Sequence, residues 1–190
     1  MNIKKLDMQV DIEPLKRKLL ECEDCFSEYL ERTENENSPH RESTDIWVRY
    51  GDYEKFGSSV FVEEHESVWF PVFDKLKAEL IPIVFDLMHQ VGGERLGGVL
   101  ITRLEKGKKV YSHIDTVGWH PNYYDKFYVP IQNKEGSIFG FEGDGDIQAK
   151  EGEVYWFRND VPHWVNNNSD DVRLAMVICI KPYTGVQNGK

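Results

Sequence analysis

The sequence predicts a mainly β protein in which helices from the first half pack on one face of a β-barrel or β-sandwich. The second half carries short apolar runs separated by Gly, Asn and Asp turns, a pattern typical of antiparallel strands. The first half instead repeats apolar residues at helical spacing. With 190 residues, of which 40% are hydrophobic, one domain can bury a sufficient core. We therefore expect a single domain, with a helical support region over residues 1–95 and a β-barrel core over residues 96–182.

Two helices and one strand are expected in the first half. Apolar residues recur at three- and four-residue steps across residues 12–30, which predicts an amphipathic helix. A second helix is predicted over about residues 68–90, with a kink at Pro82. Between them, alternation over residues 45–50 predicts a short strand.

The second half is expected to form the barrel itself. Each of its β-rich runs is only four to nine residues long, and the sequence shows neither an internal repeat nor a low-complexity linker. The predicted strands are residues 98–104, 109–112, 126–132, 137–141, 152–157 and 172–180.

Composition narrows the classes of partner. The 33 acidic residues exceed the 23 basic residues and give a net charge of −10, which disfavours nucleic acid and anionic membrane surfaces as partners. The longest apolar stretch, residues 80–88, contains a Pro and an Asp, and we expect no membrane span. The three cysteines form no even disulfide framework, and the N-terminus lacks a signal-peptide core, so we expect a cytoplasmic protein. Cys22 and Cys25 fall within the first predicted helix and are interpreted as packing residues.

One short motif suggests a metal site. In His113-Ile-Asp115 the imidazole and the carboxylate would point to the same side of a strand, because side chains alternate with a period of two. The motif alone is weak, since a second copy, His40-Arg-Glu42, occurs in a polar loop. We interpret that second copy as solvated.

Two further residues strengthen the metal interpretation. His163 follows a strand and a turn, and Arg173 opens the apolar run at residues 172–180. Both faces of that run are apolar, so the guanidinium is expected to be buried and to need an anion. The anion could come from a ligand or from a neighbouring acid such as Asp170 or Asp171.

Together, His113-x-Asp115, His163 and Arg173 resemble the Fe(II)/2-oxoglutarate-dependent dioxygenase superfamily. Residues 96–181 are most similar to its aspartyl/asparaginyl β-hydroxylase branch. The resemblance implies a double-stranded β-helix, which is a jelly-roll or cupin-like barrel. It also implies that His113, Asp115 and His163 bind Fe(II), with 2-oxoglutarate and O₂ taking the open positions. Arg173 would then bind the distal carboxylate of 2-oxoglutarate.

The same resemblance suggests contacts to the cosubstrate from one more strand. Where the family often has Arg-aromatic-His-aliphatic-Pro, this chain has Lys126-Phe-Tyr-Val-Pro. Lys126 stands at the Arg position and Tyr128 at the His position, so the charge is kept while the planar guanidinium is lost. Both residues are predicted to contact 2-oxoglutarate.

Four residues are candidates for substrate contacts. Trp119 and His120 lie in an aromatic loop just after Asp115, and Trp47 and Arg49 are expected to border the same opening. Aromatic side chains and a cation suit an amino-acid or peptide substrate.

These patterns leave more than one class of function open. The leading hypothesis is an Fe(II)/2-oxoglutarate oxygenase that hydroxylates an amino-acid side chain, of the Asp/Asn type, in a protein, a peptide or a free amino acid. The alternative is a cupin-like metal-binding barrel without oxygenase activity, such as an isomerase or a ligand-binding module. A third hypothesis is a barrel used only for protein contacts. The role of Arg173 separates the first two hypotheses, because only an oxygenase of this type needs it for 2-oxoglutarate.

Overall fold

The computed structural model describes residues 1–115 and 118–183, which form two antiparallel β-sheets with helices on one side. None of the helices in these ranges is long and apolar enough to cross a membrane. In chain order the strands are β1 Ile3–Gln9, β2 Ser43–Gly51, β3 Ser67–Trp69, β4 Gly93–Leu104, β5 Lys109–His113, β6 Asp125–Gln132, β7 Ser137–Phe141, β8 Gly145–Ile147, β9 Glu153–Phe157, β10 His163–Asn167 and β11 Arg173–Pro182. The α-helices are α1 Glu13–Leu20, α2 Tyr53–Phe56, α3 Val72–Gln90 and α4 His120–Tyr123, and two 3-10 helices cover Glu23–Ser27 and Gly57–Phe61.

The two sheets differ in size and pack face to face. The larger sheet has the strand order β1-β9-β6-β11-β4-β2-β3, and the smaller has the order β5-β10-β7-β8. A cluster of buried residues from both sheets joins them, including Leu104, Tyr128 and Ala175 from the larger sheet and Phe139 and Phe141 from the smaller. The architecture is the predicted double-stranded β-helix, mainly β with flanking helices.

A second core lies on the opposite face of the larger sheet. There α3 buries side chains at helical spacing, among them Leu76, Leu80 and Leu87, against the sheet and against α1. Strand β11 separates the two cores as its alternation predicts: Leu174, Met176, Ile178 and Ile180 face the helices, and Arg173, Ala175, Val177 and Cys179 face the space between the sheets.

The predicted elements of the second half are confirmed, and the first half needs corrections. Where one helix over residues 12–30 was predicted, the structure has α1, which ends at Leu20, and a separate 3-10 helix over Glu23–Ser27. A spacing of three residues fits both kinds of helix, so the apolar pattern could not separate them. The second helix begins at Val72, and Pro82 lies inside it without ending it.

The first 95 residues are also less helical than predicted. They contribute β1, β2 and β3 to the larger sheet, so this region forms part of the barrel wall in addition to supporting it. Strand β1 was missed because it is a polar edge strand, and β3 and β8 because each has only three residues.

Candidate metal centre and cavity

The three predicted metal ligands meet between the sheets. His113 ends β5 and His163 begins β10, and the two residues are direct cross-strand partners with ring centroids 4.4 Å apart. Asp115 lies two residues beyond β5, where its backbone N–H donates to the carbonyl oxygen of Asn159 at 2.8 Å. Its carboxylate oxygens lie 3.5 Å from Nε2 of His113 and 3.3 Å from Nε2 of His163. All three ligand atoms are within 4.8 Å of one another, close enough to share one ion.

Backbone carbonyl groups orient both imidazoles. Nδ1 of His113 lies 2.8 Å from the carbonyl oxygen of Tyr111, and Nδ1 of His163 lies 2.9 Å from that of Val161. A carbonyl oxygen only accepts, so Nδ1 of each ring donates, and Nε2, which faces Asp115, is the atom that each ring can offer to a metal. Burial also lowers the pKa of His113 to about 4, which keeps this imidazole neutral at pH 7. Two imidazoles and one carboxylate are the donor set of a facial Fe(II) site, and these residues fit that metal.

Lys126 neutralises the carboxylate of this site. Its ammonium nitrogen lies 2.6 Å from Oδ2 of Asp115, and both side chains are largely buried. Burial by itself would raise the pKa of Asp115, but the neighbouring Lys126 ammonium holds that pKa well below its usual value. Asp115 is therefore ionised, and a metal cation would take the place that the Lys126 ammonium holds beside its carboxylate.

Arg173 occupies a different part of the same space without a carboxylate partner. The residue is 3% exposed, and its guanidinium donates to the Tyr128 hydroxyl at 3.1 Å and lies 5.3 Å from the centre of the Tyr128 ring. Its Nε is buried without a hydrogen-bond partner. Asp170 instead pairs with Lys106 at 2.7 Å. Among the described residues no carboxylate oxygen lies within 4 Å of the Arg173 nitrogens, so this buried cation is available to a ligand anion.

One cavity of about 490 Å³ connects these groups. The three metal ligands line it, and so do the three residues predicted to contact the cosubstrate, Lys126, Tyr128 and Arg173. This volume is typical of a site for small molecules. The structure therefore places every predicted metal ligand and every predicted cosubstrate residue around one space.

The predicted substrate residues divide into two pairs. Trp47 and His120 line the cavity, whereas Arg49 and Trp119 are not among its lining residues. Burial lowers the pKa of His120 to about 3, and its Nε2 accepts a hydrogen bond from the backbone N–H of Gly98 at 3.2 Å. Trp119 stacks on Tyr123 with ring centroids 4.5 Å apart.

A β-bulge explains the position of Arg49. Trp47 lies opposite Leu100 on β4, but Arg49 lies opposite Val99, so β2 has one extra residue between them. The extra residue reverses the alternation, and Arg49 leaves the cavity face to lie over the ring of Trp69 at 4.9 Å.

The prediction that His40 is solvated is wrong. Its ring packs edge-on against that of His113, with centroids 4.8 Å apart, and its Nδ1 accepts from the Arg32 guanidinium at 2.8 Å. The backbone N–H of Tyr111 on β5 donates to the carbonyl oxygen of Pro39 at 2.9 Å. This hydrogen bond holds the next residue, His40, beside the metal site. Burial, reinforced by the Arg32 charge, holds the pKa of His40 well below its usual value.

Arg32 also lines the cavity, and sequence reasoning missed it. Glu42, the other half of the second motif, accepts from the Tyr111 hydroxyl at 2.9 Å and from the backbone N–H of Lys109 at 3.1 Å. The His40-Arg-Glu42 motif was therefore the sequence signal that this segment packs along β5 beside the metal site, although its polar context suggested a free loop.

Comparison with known proteins agrees with this site. The family model for aspartyl/asparaginyl β-hydroxylase matches residues 21–182. No sequence among the curated proteins matches the chain significantly.

Solved structures share the fold at low sequence identity. The 2-oxoglutarate complex of a viral collagen prolyl hydroxylase from Paramecium bursaria Chlorella virus-1 is 14% identical, with 97% of each chain covered and a TM-score of 0.52. A prolyl-4-hydroxylase from Pseudomonas putida is 15% identical over 96% of this chain and 93% of that chain, with a TM-score of 0.52. A Burkholderia pseudomallei oxidoreductase of the 2OG-Fe(II) oxygenase family is 11% identical over 74% of this chain and 68% of that chain, with a TM-score of 0.54.

Proposed function

The chain belongs to the aspartyl/asparaginyl β-hydroxylase family of Fe(II)- and 2-oxoglutarate-dependent oxygenases, and on that premise we propose that it hydroxylates an Asp/Asn-type side chain. The substrate would be a protein, a peptide or a free amino acid. The observation that supports this proposal best is the combination, in one cavity, of a His-Asp-His donor set and a buried arginine that has no carboxylate partner among the described residues.

The predicted site residues would have separate tasks in this reaction. His113, Asp115 and His163 would hold the metal from one side and leave three positions for other ligands. When bound, Fe(II), 2-oxoglutarate and O₂ supply the oxidation, in which the cosubstrate loses CO₂ and becomes succinate while a C–H bond gains a hydroxyl group. No side chain has to act as a nucleophile.

The protein also orients the cosubstrate and keeps water away from it. Arg173 and the Tyr128 hydroxyl would bind its distal carboxylate, for which the two-pronged guanidinium is well suited in a dry pocket. Lys126 would add a positive charge near the metal. Apolar side chains such as Leu100, Phe139 and Val177 line the walls and limit the entry of bulk water.

We also propose a reducing, cytoplasmic setting and no nucleic-acid partner. Cys22, Cys25 and Cys179 are all free and buried, which is compatible with a reducing compartment. The net charge of −10 favours partners other than phosphate backbones.

Anaerobic absorbance spectroscopy tests the proposed function. Addition of Fe(II) and then 2-oxoglutarate should produce the weak visible charge-transfer absorption of their chelate. Exposure to O₂ without a prime substrate should then form succinate slowly. A screen of peptides and amino acids by mass spectrometry should find a substrate that gains one oxygen atom.

Two variants make the spectroscopic test specific. His113→Ala should abolish the absorption, because one of the three metal ligands is lost. Arg173→Ala should shift its appearance to much higher 2-oxoglutarate concentrations. If the intact protein binds Fe(II) but shows no absorption and no succinate at any 2-oxoglutarate concentration, the cupin-like binding module becomes the better explanation.

A further inference from the structure

The cavity is positively charged within an acidic protein. Among the described residues its lining contains three cationic side chains, Arg32, Lys126 and Arg173, and one carboxylate, Asp115, although the chain has a net charge of −10. A divalent metal and the dianion 2-oxoglutarate would cancel each other, and Asp45 compensates one of the three cations from behind the wall. Positive charge therefore remains after the metal and the cosubstrate are bound, which favours a negatively charged prime substrate.

Arg32 faces a buried carboxylate behind the cavity wall and keeps N–H donors for the cavity. Its Nε lies 3.4 Å from Oδ2 of Asp45, whose side chain is fully buried, and Oδ1 of Asp45 accepts from the Thr102 hydroxyl at 2.7 Å. Asp45 and Thr102 face each other on β2 and β4, so this anchor belongs to the rigid sheet. The Arg32 side chain is 23% exposed, and a guanidinium carries five N–H donors, so several remain for a ligand.

The contact between Arg32 and His40 defines the proton position on the imidazole. A guanidinium has no acceptor, so the 2.8 Å contact requires Nδ1 of His40 to accept. The proton of the neutral ring is then on Nε2, which makes His40 a donor as well. Arg32 and His40 thus form a pair of side chains that can donate hydrogen bonds to a ligand and can accept none.

This pair is separate from Arg173. Asp45, which anchors Arg32, is on β2, and Arg173 is on β11; β4 lies between them, so the two strands are roughly 10 Å apart. The His40 ring nevertheless lies against His113. The pair is therefore beside the metal and two strands away from the arginine that would bind 2-oxoglutarate.

We propose that Arg32 and His40 form a subsite for a carboxylate of the prime substrate and make the enzyme prefer an acid over the corresponding amide. The inference rests on the proposed function and narrows its substrate class. A carboxylate offers only acceptors to the two donors, whereas an amide also presents an NH₂ group, which finds no acceptor on either side chain. Leaving such a group unpaired in a desolvated site costs binding free energy.

Calorimetry with three probes tests the preference. Protein loaded anaerobically with Fe(II) and 2-oxoglutarate would be titrated with a capped alanine-rich pentapeptide containing one central Asp, with its Asn counterpart, and with free L-asparagine. We expect the Asp peptide to bind at least about tenfold more tightly than the Asn peptide, equivalent to about 1.4 kcal/mol. Preference for free asparagine over the capped Asn peptide would assign the subsite to an α-carboxylate instead. Equal results for all three probes, including no binding by any of them, would overturn the proposal.

Variants locate the preference on these two residues. Arg32→Gln alone would leave the buried Asp45 carboxylate without its ion-pair partner, so the double variant Arg32→Gln/Asp45→Asn removes both charges together. His40→Phe keeps a ring against His113 and removes the donor. Both variants should lose most of the acid preference. Arg103→Gln is the matched control, since Arg103 has a similar side-chain exposure of 25% and is not among the lining residues.

The charge-transfer absorption separates this inference from the proposed function. If the wild type lacks the absorption, the proposed function itself fails. If the wild type shows it but has no acid preference, or if the variants keep that preference, only the subsite is wrong. The 2-oxoglutarate concentration that gives half of the absorption also reports whether each variant retains an intact metal centre.

Discussion

The metal end and the arginine end of the cavity balance their charges differently. At the metal end, Asp115 has the Lys126 ammonium at 2.6 Å and imidazole nitrogens at 3.3 and 3.5 Å. At the arginine end, Arg173 contacts the hydroxyl and the ring of Tyr128, and no described carboxylate lies within 4 Å of it. At the metal end the protein itself therefore supplies both the ligands and the balancing charge. At the arginine end the protein buries a positive charge whose counter-ion has to come from a ligand.

This difference shows how the metal ligands of a cavity can be preorganised while the protein still gains stability when an anion binds to Arg173. Carbonyl groups of Tyr111 and Val161 set the metal ligands in place before any ion arrives. Arg173, by contrast, carries a desolvation cost that only an anion can offset. Changes at the metal end should therefore alter metal affinity, and changes at the arginine end should alter cosubstrate affinity.

Loss of an imidazole should have the largest effect. His163→Ala leaves two of the three ligands, and we expect the Fe(II) affinity to fall more than about 100-fold, beyond the usual effect of changing a residue that only supports a ligand. Anaerobic titration with Fe(II) measures this loss. His89→Ala, at an exposed position on α3, is the control and should behave like the wild type. Unchanged affinity in His163→Ala would mean that the metal binds elsewhere.

Removal of the Arg173 guanidinium should affect cosubstrate binding at the arginine end and leave the metal end unchanged. Arg173→Met replaces the guanidinium by an apolar side chain, and we expect 2-oxoglutarate affinity to fall about 100-fold while Fe(II) affinity is kept. Because the ligand-free protein loses an uncompensated buried charge, its free energy of unfolding should stay the same or rise. Spectroscopic titration and urea unfolding measure the two effects. A destabilised protein with normal 2-oxoglutarate affinity would show that Arg173 has a structural role.

The residues at both of these ends could be predicted from the sequence because they lie on or beside regular strands. Alternation placed His113 with Asp115 on one side and aligned Arg173 with the cavity face of β11. The antiparallel pairing of β5 with β10 then joined His113 to His163. The relation between the two histidines and Arg173 therefore follows from strand geometry and from the family resemblance. Asp115 lies just past the end of β5, and its role came from the resemblance together with its spacing from His113.

The residues that could not be predicted depend on irregular backbone. His40 reaches the metal site because the segment that contains it runs along the edge of β5, and composition describes that segment only as polar. Arg49 leaves the cavity because a single bulge in β2 reverses the side-chain alternation after Trp47. Neither the path of a loop nor the position of a bulge has a periodic signal in the sequence.

Glu153, which lies outside the cavity, allows the stability of the barrel to be measured independently of metal and cosubstrate binding. Glu153 on β9 binds the Lys5 ammonium of β1 at 2.5 Å, and it also accepts from the Tyr155 hydroxyl and from the backbone N–H of Lys150. Burial opposes ionisation, but these partners lower the pKa of Glu153 from 4.5 to about 2. Because the Lys5 side chain is half-exposed and solvent screens its charge, the interaction should contribute about 1–2 kcal/mol at neutral pH, less than the full pKa shift implies.

The direction of the pH dependence follows from this lowered pKa. The contribution of Glu153 is fully present above pH 4.5, the usual value, and is lost as the pH falls towards 2. Glu153→Gln should therefore lower the free energy of unfolding at pH 7 and flatten its decrease in acid, as measured by urea unfolding at several pH values. Glu135→Gln, at an exposed position, is the control. Parallel pH curves for the wild type and Glu153→Gln would contradict the assignment.

Lys126 supplies the charge that balances Asp115 at the metal end, and its removal should produce the smallest and most diagnostic change. In the ligand-free cavity its ammonium occupies the Asp115 carboxylate, so a metal ion has to compete with it. Lys126→Met removes this competitor, and we expect Fe(II) affinity to rise about tenfold, which corresponds to about 1.4 kcal/mol. Affinity for 2-oxoglutarate should fall, because a cation facing the dianion is lost. The two affinities should therefore change in opposite directions.

Stability measurements complete the test of Lys126. Without metal, Lys126→Met leaves Asp115 with no cation, so its free energy of unfolding should fall below that of the wild type, and Fe(II) should restore the difference. Lys126→Arg keeps the charge and should resemble the wild type in the absence of metal. A fall of both affinities in Lys126→Met would instead indicate that Lys126 supports the metal ligands, and the contrast between a balanced metal end and an unbalanced arginine end would no longer hold.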